Sequence, residues 1–198
     1  MKFKFELGDL IKLPNILCYV RIIMVPWFLY VYFTAVEPVD YYAATVIVLL
    51  SGLTDMLDGQ IARRCNMITD LGKIIDPVAD KLMQLAMLVA LTWNIRYMFF
   101  LVIYLVIKEA VSAFTGFLIL KKRHRRLDGA KWYGKVSTAV LYIVMLALIA
   151  FPHMNSLLQF LLIMICVAAL TLSFVMYMRI YFIMLRDSKS GNDDKVLY

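Results

Sequence analysis

Residues Asp55 to Asp80 read DMLDGQIARRCNMITDLGKIIDPVAD, and this stretch sets carboxylates inside sequence that is otherwise membrane-like. Asp55 and Asp58 are three apart and Asp76 and Asp80 four apart, so each pair projects from one face of a helix. Asp70 falls in the connecting loop. A carboxylate within a membrane segment costs about 2.5–3.5 kcal/mol on insertion scales, so four together need a compensating partner. Hard divalent cations such as Mg²⁺ or Mn²⁺ take oxygen ligands and are the natural candidate. Ion pairs with Arg63, Arg64, Lys73 and Lys81 are the alternative, but buried pairs contribute little net stability. The expectation is a membrane-embedded metal site.

The whole chain agrees with that setting. Of its 198 residues 63% are apolar, and the mean hydropathy of +0.79 describes an integral membrane bundle. A net charge of +7 could suggest nucleic acid. The basic residues fall mostly in short loops between apolar runs, which favours anionic lipid or a phosphate-bearing substrate and no nucleic acid. Cys18, Cys65 and Cys166 lie in or beside apolar segments and read as packing residues without a disulfide framework. The N-terminal MKFKFELGDLIKLPN has acidic residues and no small-residue cleavage site, so no cleavable signal peptide is expected.

Six apolar runs at about 15–35, 42–62, 73–94, 98–120, 133–151 and 156–184 approach the roughly 20 residues that a spanning helix needs. The expected fold is an all-α integral membrane protein of six transmembrane helices in a single domain, 1–186. A short interfacial helix over 1–13 precedes it and a polar tail, 187–198, follows. The short link from Arg63 to Asp70 predicts that the second and third helices pack antiparallel as a hairpin. Lys2, Lys4, Lys12, Arg63, Arg64, Lys73, the run Lys121–Arg126 and Arg186 fall on one side of this arrangement. Glu37, Asp40, Arg96 and His153 fall on the other. By the positive-inside rule both termini and the aspartate end are cytoplasmic. The run Lys121–Arg126 reads as a solvated loop that sets topology, and the aromatics Trp27, Tyr30, Tyr32, Trp93, Tyr97 and Phe99 as packing or interfacial anchors.

The full pattern is Asp55-x-x-Asp58-Gly59-x-x-Ala62-Arg63, eight residues, then Gly72-x-x-x-Asp76-x-x-x-Asp80. It resembles the CDP-alcohol phosphotransferases, which make phospholipids by displacing CMP from a CDP-alcohol. Pro14-Asn15 with Arg21, the run Asp76-Pro77-Val78-Ala79-Asp80-Lys81, and Gly134-Lys135 extend the likeness over nearly the whole chain. The resemblance implies that Asp55, Asp58 and Asp76 bind metal. It also implies that Asp80 is the general base and touches a second ion, that two Mg²⁺ or Mn²⁺ ions are used, and that the protein is a homodimer. The residue types suit the chemistry independently. Gly59 and Ala62 lack bulk, so a nucleotide can lie against the helix, and Gly72 allows close approach at the same end. Arg63 can hold phosphate with its planar fork. Asp55, Gly59, Ala62, Arg63 and Gly72 are therefore the expected CDP-binding set, with CDP-diacylglycerol as donor.

A phosphorylated acceptor needs cations in the cavity, and Arg21, Lys108 and Lys135 are charged residues near or within apolar spans. Arg21 follows Asn15 by six, as in relatives making phosphatidylglycerophosphate. Those relatives usually have Thr where this chain has Cys18, and Arg-Glu where it has Lys108-Glu109. Glycerol 3-phosphate is the expected acceptor. The stretch Tyr133-Gly134-Lys135-Val136-Ser137-Thr138 also resembles cardiolipin synthases, whose acceptor is phosphatidylglycerol, and that is the alternative. A cation transport protein is a more distant one. The setting expected is a bacterial plasma membrane.

Overall fold

The computed structural model describes residues 12–65, 67, 69, 71–123 and 132–187, all of them helical or in short connections. Six helices follow in order: α1 (Leu13–Thr34), α2 (Asp40–Arg64), α3 (Gly72–Asn94), α4 (Met98–Arg123), α5 (Trp132–Ala150) and α6 (Ser156–Asp187). Each lies within a few residues of an apolar run in the sequence. The expected interfacial helix lies outside the described residues up to position 11, as does the tail beyond Asp187. Only the first half of the basic run is described, and there α4 continues through Lys121–Arg123 where a loop was expected. Lys and Arg are good helix formers and favourable at a helix C-terminus.

The chain forms two compact units. The first runs to Arg96 and includes Met145–Met154; the second takes Tyr97–Val144 and the chain from Asn155 onward.

In the first unit α1 begins after an extended Lys12 (φ −64°, ψ 136°) with Pro14 in its opening turn. Proline is preorganised for that place and loses no helical hydrogen bond there. Pro14, Asn15, Cys18, Arg21, Met24, Phe28 and Tyr32 form its buried stripe at three- and four-residue spacing. That stripe packs against α2 and α3 alike, whereas α2 and α3 have little contact along each other. The expected hairpin is therefore more than a helix pair: α1 packs along both arms, and α2 and α3 meet at the aspartates. At one end of the unit Phe28, Tyr32 and Tyr41 pack together, with the Tyr32 and Tyr41 rings edge to face at 5.3 Å. There Asn94 Nδ2 donates to the Tyr32 hydroxyl at 2.9 Å. Asp40 tightens the α1–α2 turn by accepting from the backbone N–H groups of Val36 and Glu37 at 3.0 and 2.9 Å.

In the second unit α4 packs on α6, where the hydroxyls of Tyr104 and Thr171 lie 2.8 Å apart. Tyr133 of α5 stacks edge-on against Tyr177 of α6, centroids 4.8 Å apart. A side chain at Gly134 would collide with the Tyr177 hydroxyl.

Among the described residues, four helices, α1, α2, α5 and α6 (the last through Ile180), are long and apolar enough to cross a membrane by length and composition. The exterior is apolar as well as the core. Ile23, Trp27, Tyr30, Trp93, Phe100 and Leu172 are exposed, while Arg21 is among the largest fully buried side chains. Lipid tails solvate such an apolar exterior, and charges turn inward. The protein is an integral membrane protein.

Candidate metal and substrate site

Arg21 organises the site. It stands near the middle of α1, 1% exposed, and both terminal nitrogens of its guanidinium are committed to carboxylates. Nη2 donates to Asp58 Oδ2 at 2.6 Å. Nη1 donates to Asp80 Oδ1 at 2.5 Å and Asp76 Oδ1 at 3.1 Å, and forms an ion pair with Asp55 Oδ1 at 3.1 Å. The four motif aspartates therefore converge on one cation, and that cation comes from a third helix. Asp58 is buried, whereas Asp55, Asp76 and Asp80 each keep over two fifths of their side-chain surface exposed.

Cys18 lies one turn before Arg21, with Sγ 3.5 Å from Asp58 Oδ2 and 3.9 Å from Asp76 Oδ1. It is more than packing, since its thiol faces the acidic cluster. One further turn back, Asn15 reaches the link between α2 and α3. Its Nδ2 donates to Thr69 Oγ1 at 3.0 Å, and that oxygen also accepts from the Gly72 backbone N–H at 2.9 Å. Both Asn15 and Thr69 are buried. This contact fixes the start of α3, and hence the register of Asp76 and Asp80, against α1. Gly72 is what lets it form: a Cβ there would stand 2.6 Å from Asn15 Oδ1. Gly59 is different, because a Cβ would meet only Arg63 Nη2, at 3.7 Å.

A cavity of about 200 Å³ opens beside the aspartates, lined by Pro14, Asn15, Cys18, Asp58, Gly59, Ala62, Arg63, Met67, Thr69, Gly72 and Asp76. It gathers all of the expected CDP-binding residues except Asp55, which lies in the carboxylate cluster. Two sets of donor atoms lie within 4.8 Å of one another: Asp55, Asp76 and Asp80, and Cys18, Asp58 and Asp76. Three carboxylate oxygens from two helices suit a hard divalent ion. The four acids exceed the single buried guanidinium in charge, so the residues present fit the expected cation.

Lys108 and Lys135 belong to the second unit. Lys108 Nζ lies 3.5 Å from Glu109 Oε1 with little of its side chain exposed, and Lys135 is exposed on α5. Thr69 carried no signal in the sequence, being one polar residue in a loop. Cys18 did carry one. Asn15, Cys18 and Arg21 recur at helical spacing on an otherwise apolar run, which marks a single polar stripe.

The family model of the CDP-alcohol phosphatidyltransferases matches residues 11–185. The chain belongs to this family. Among curated CDP-alcohol phosphatidyltransferase relatives, it is 38% identical over 110 residues to a CMP-forming cardiolipin synthase of Streptomyces coelicolor, covering 54% of this chain and 51% of that protein. The match thus spans about half the length of the Streptomyces enzyme. The chain is 34% identical over 128 residues to the CDP-diacylglycerol–glycerol-3-phosphate 3-phosphatidyltransferase of Aquifex aeolicus, covering 64% of this chain and 69% of that one. The Bacillus subtilis protein of the same name is 28% identical over 149 residues, with 70% and 76% covered. Membership in the phosphatidyltransferase family agrees with the resemblance that the eight motif residues carry.

Proposed function

We propose that the chain transfers a phosphatidyl group from CDP-diacylglycerol to glycerol 3-phosphate, releasing CMP, at the cytoplasmic face of a bacterial plasma membrane. The observation that carries this reading is the convergence of Asp55, Asp58, Asp76 and Asp80 beside a cavity whose wall contains Gly59, Ala62, Arg63 and Gly72. Relatives from Aquifex and Bacillus named for glycerol 3-phosphate support that acceptor. The six helices all span the membrane in this reading, α3 and α4 included, with both termini cytoplasmic.

In the reaction the acceptor hydroxyl oxygen bonds to the lipid-side phosphorus, the bond from that phosphorus to the CMP oxygen breaks, and the hydroxyl proton passes to Asp80. Asp55, Asp58, Asp76 and Asp80 would hold the divalent ions, which when bound neutralise pyrophosphate oxygens and stabilise CMP as leaving group. The small Gly59 and Ala62 leave room for the nucleotide against α2, and the exposed Arg63 guanidinium is placed to pair with phosphate. Arg21 is assigned to the acceptor's phosphate.

A second reading, cardiolipin synthesis with phosphatidylglycerol as acceptor, is favoured by the 38% identity to the Streptomyces enzyme. Family membership favours transfer over cation transport. The test is CMP release by purified protein with CDP-diacylglycerol and Mg²⁺ or Mn²⁺. Stimulation by glycerol 3-phosphate supports the first reading, and stimulation by phosphatidylglycerol alone replaces it with the second.

A further inference from the structure

The start of α3 is held from outside the helix. Leu71, at its N-cap, makes no side-chain hydrogen bond, and Thr69 Oγ1 takes that part by accepting from the Gly72 N–H at 2.9 Å. The same oxygen accepts from Asn15 Nδ2 at 3.0 Å and donates to Asn15 Oδ1 at 3.3 Å. The one donor and two acceptor positions of the hydroxyl are thus all used, and they tie α3 to α1. Pro77 then interrupts α3 immediately after Asp76. Proline has no N–H to give the carbonyl of residue 73, so the backbone ladder lacks a rung beside Asp76. The far end of α3 has a second tie to α1, from Asn94 Nδ2 to the Tyr32 hydroxyl at 2.9 Å.

We infer that Thr69 is a positioning residue for the transfer reaction, holding Asp76 and Asp80 in place through the first turn of α3. The inference rests on the transferase reading above and adds to it a residue that acts through others. Asp76 and Asp80 stand four and eight residues beyond Gly72, about one and two turns along the helix. With a rung missing at Pro77, the direction of the turn that carries Asp76 depends on the tie to α1. A swing of that turn moves Asp76 Oδ1, now 3.1 Å from Arg21 Nη1 and 3.9 Å from Cys18 Sγ. It would leave a cluster whose donor atoms lie within 4.8 Å of one another. Thr69 also lines the cavity, but Asn15 and Gly72 engage its hydroxyl fully and leave no bonding position for a ligand. Loss of the hydroxyl therefore reaches turnover through the carboxylates and spares substrate binding. Misplacing a reacting group by about 1 Å costs up to about a hundredfold in rate.

The test is CMP release by the purified full-length protein with CDP-diacylglycerol, Mg²⁺ and whichever acceptor stimulates the parent. Thr69→Val keeps the shape of the side chain and removes the hydroxyl. Its kcat is expected to fall about tenfold to a hundredfold, while equilibrium binding of CDP-diacylglycerol stays close to the parent's. Thr69→Ser returns the oxygen and should recover the parent's kcat. Tyr32→Phe is the control, since it breaks the other tie between α1 and α3 and should leave kcat unchanged. Should Thr69→Val not fold, Asn15→Ala breaks the same tie from the α1 side with Gly72 still capped, and the same pattern is expected of it. An unchanged kcat in the folded variant overturns the inference, as does a loss confined to substrate binding, which would make the residue a ligand contact. A kcat that falls equally in Tyr32→Phe overturns it too, by making the hydroxyl one structural bond among others. A parent that releases no CMP overturns the transferase reading and this inference with it, and shows itself before any substitution is made.

Discussion

Replacing Gly72 with alanine places a methyl group 2.6 Å from Asn15 Oδ1 and 3.0 Å from Thr69 Oγ1, whereas the same change at Gly59 meets only Arg63 Nη2 at 3.7 Å. The two glycines belong to one motif, yet the structure gives them opposite consequences. At Gly72 the neighbours are buried and bonded to each other, so neither can retreat without losing the Asn15–Thr69 hydrogen bond. Overpacking of this kind costs about 1–3 kcal/mol. At Gly59, inside α2, alanine relieves the helix of one of its two glycines, a gain of about 0.5–1 kcal/mol. The variants should therefore differ in stability by about 1.5–4 kcal/mol, in that order. Thermal unfolding in detergent, followed by tryptophan fluorescence, reads the difference as apparent midpoints at one scan rate. Gly59→Ala should match or exceed the parent in midpoint while raising the KM for CDP-diacylglycerol, because its methyl group enters the cavity. Gly72→Ala should unfold earlier. A Gly72→Ala protein as stable as the parent, or a Gly59→Ala protein less stable than Gly72→Ala, refutes the assignment of these roles.

Asp80→Asn should abolish CMP release while leaving much of the CDP-lipid binding, and equal loss of both, measured by turnover and by equilibrium binding, would remove Asp80 from the role of base. Thr69→Val removes the oxygen that both Asn15 and Gly72 address, at an expected cost of about 1–3 kcal/mol for the unmet buried donors, and Thr69→Ser should restore most of it; unfolding midpoints check this. Exhaustive chelation should stop CMP release, and Mg²⁺ or Mn²⁺ should restore it; full turnover in chelator ends the metal reading. Tyr32→Phe, which removes the hydroxyl that Asn94 addresses at the other end of the unit, should cost about 0.5–1.5 kcal/mol and leave the KM for CDP-diacylglycerol unchanged.

Helix positions were legible because each apolar run long enough for a span has one way to satisfy its backbone in lipid. The carboxylate spacing likewise placed Asp55 with Asp58 and Asp76 with Asp80. Periodicity identifies a face but not what it meets. The sequence offered Arg63, Arg64, Lys73 and Lys81 as nearby counter-charges, yet all four acids meet Arg21, 37 residues from Asp58 and 59 from Asp80. The packing of α1 along both α2 and α3 was hidden for the same reason. Loop length argued for a hairpin, while the decisive interaction lay on a helix well outside the loop. Gly72 was read as an opening for ligand and lines the cavity, but its backbone also sits against Asn15.

The buried arginine also has a consequence for how the protein is made. Translation delivers α1 to the membrane first, with a charge near its midpoint and its acidic partners still unsynthesised. Held alone in lipid, that residue works against insertion by about 2.5–3.5 kcal/mol. The debt is cleared only when the chain has grown through α3 and Asp80 has arrived. The full set of counter-charges for Arg21 is thereby complete only when the first three helices are together. Nascent chains halted before Asp55 should leave Arg21 without its acidic partners, and chains halted after α3 should supply all four.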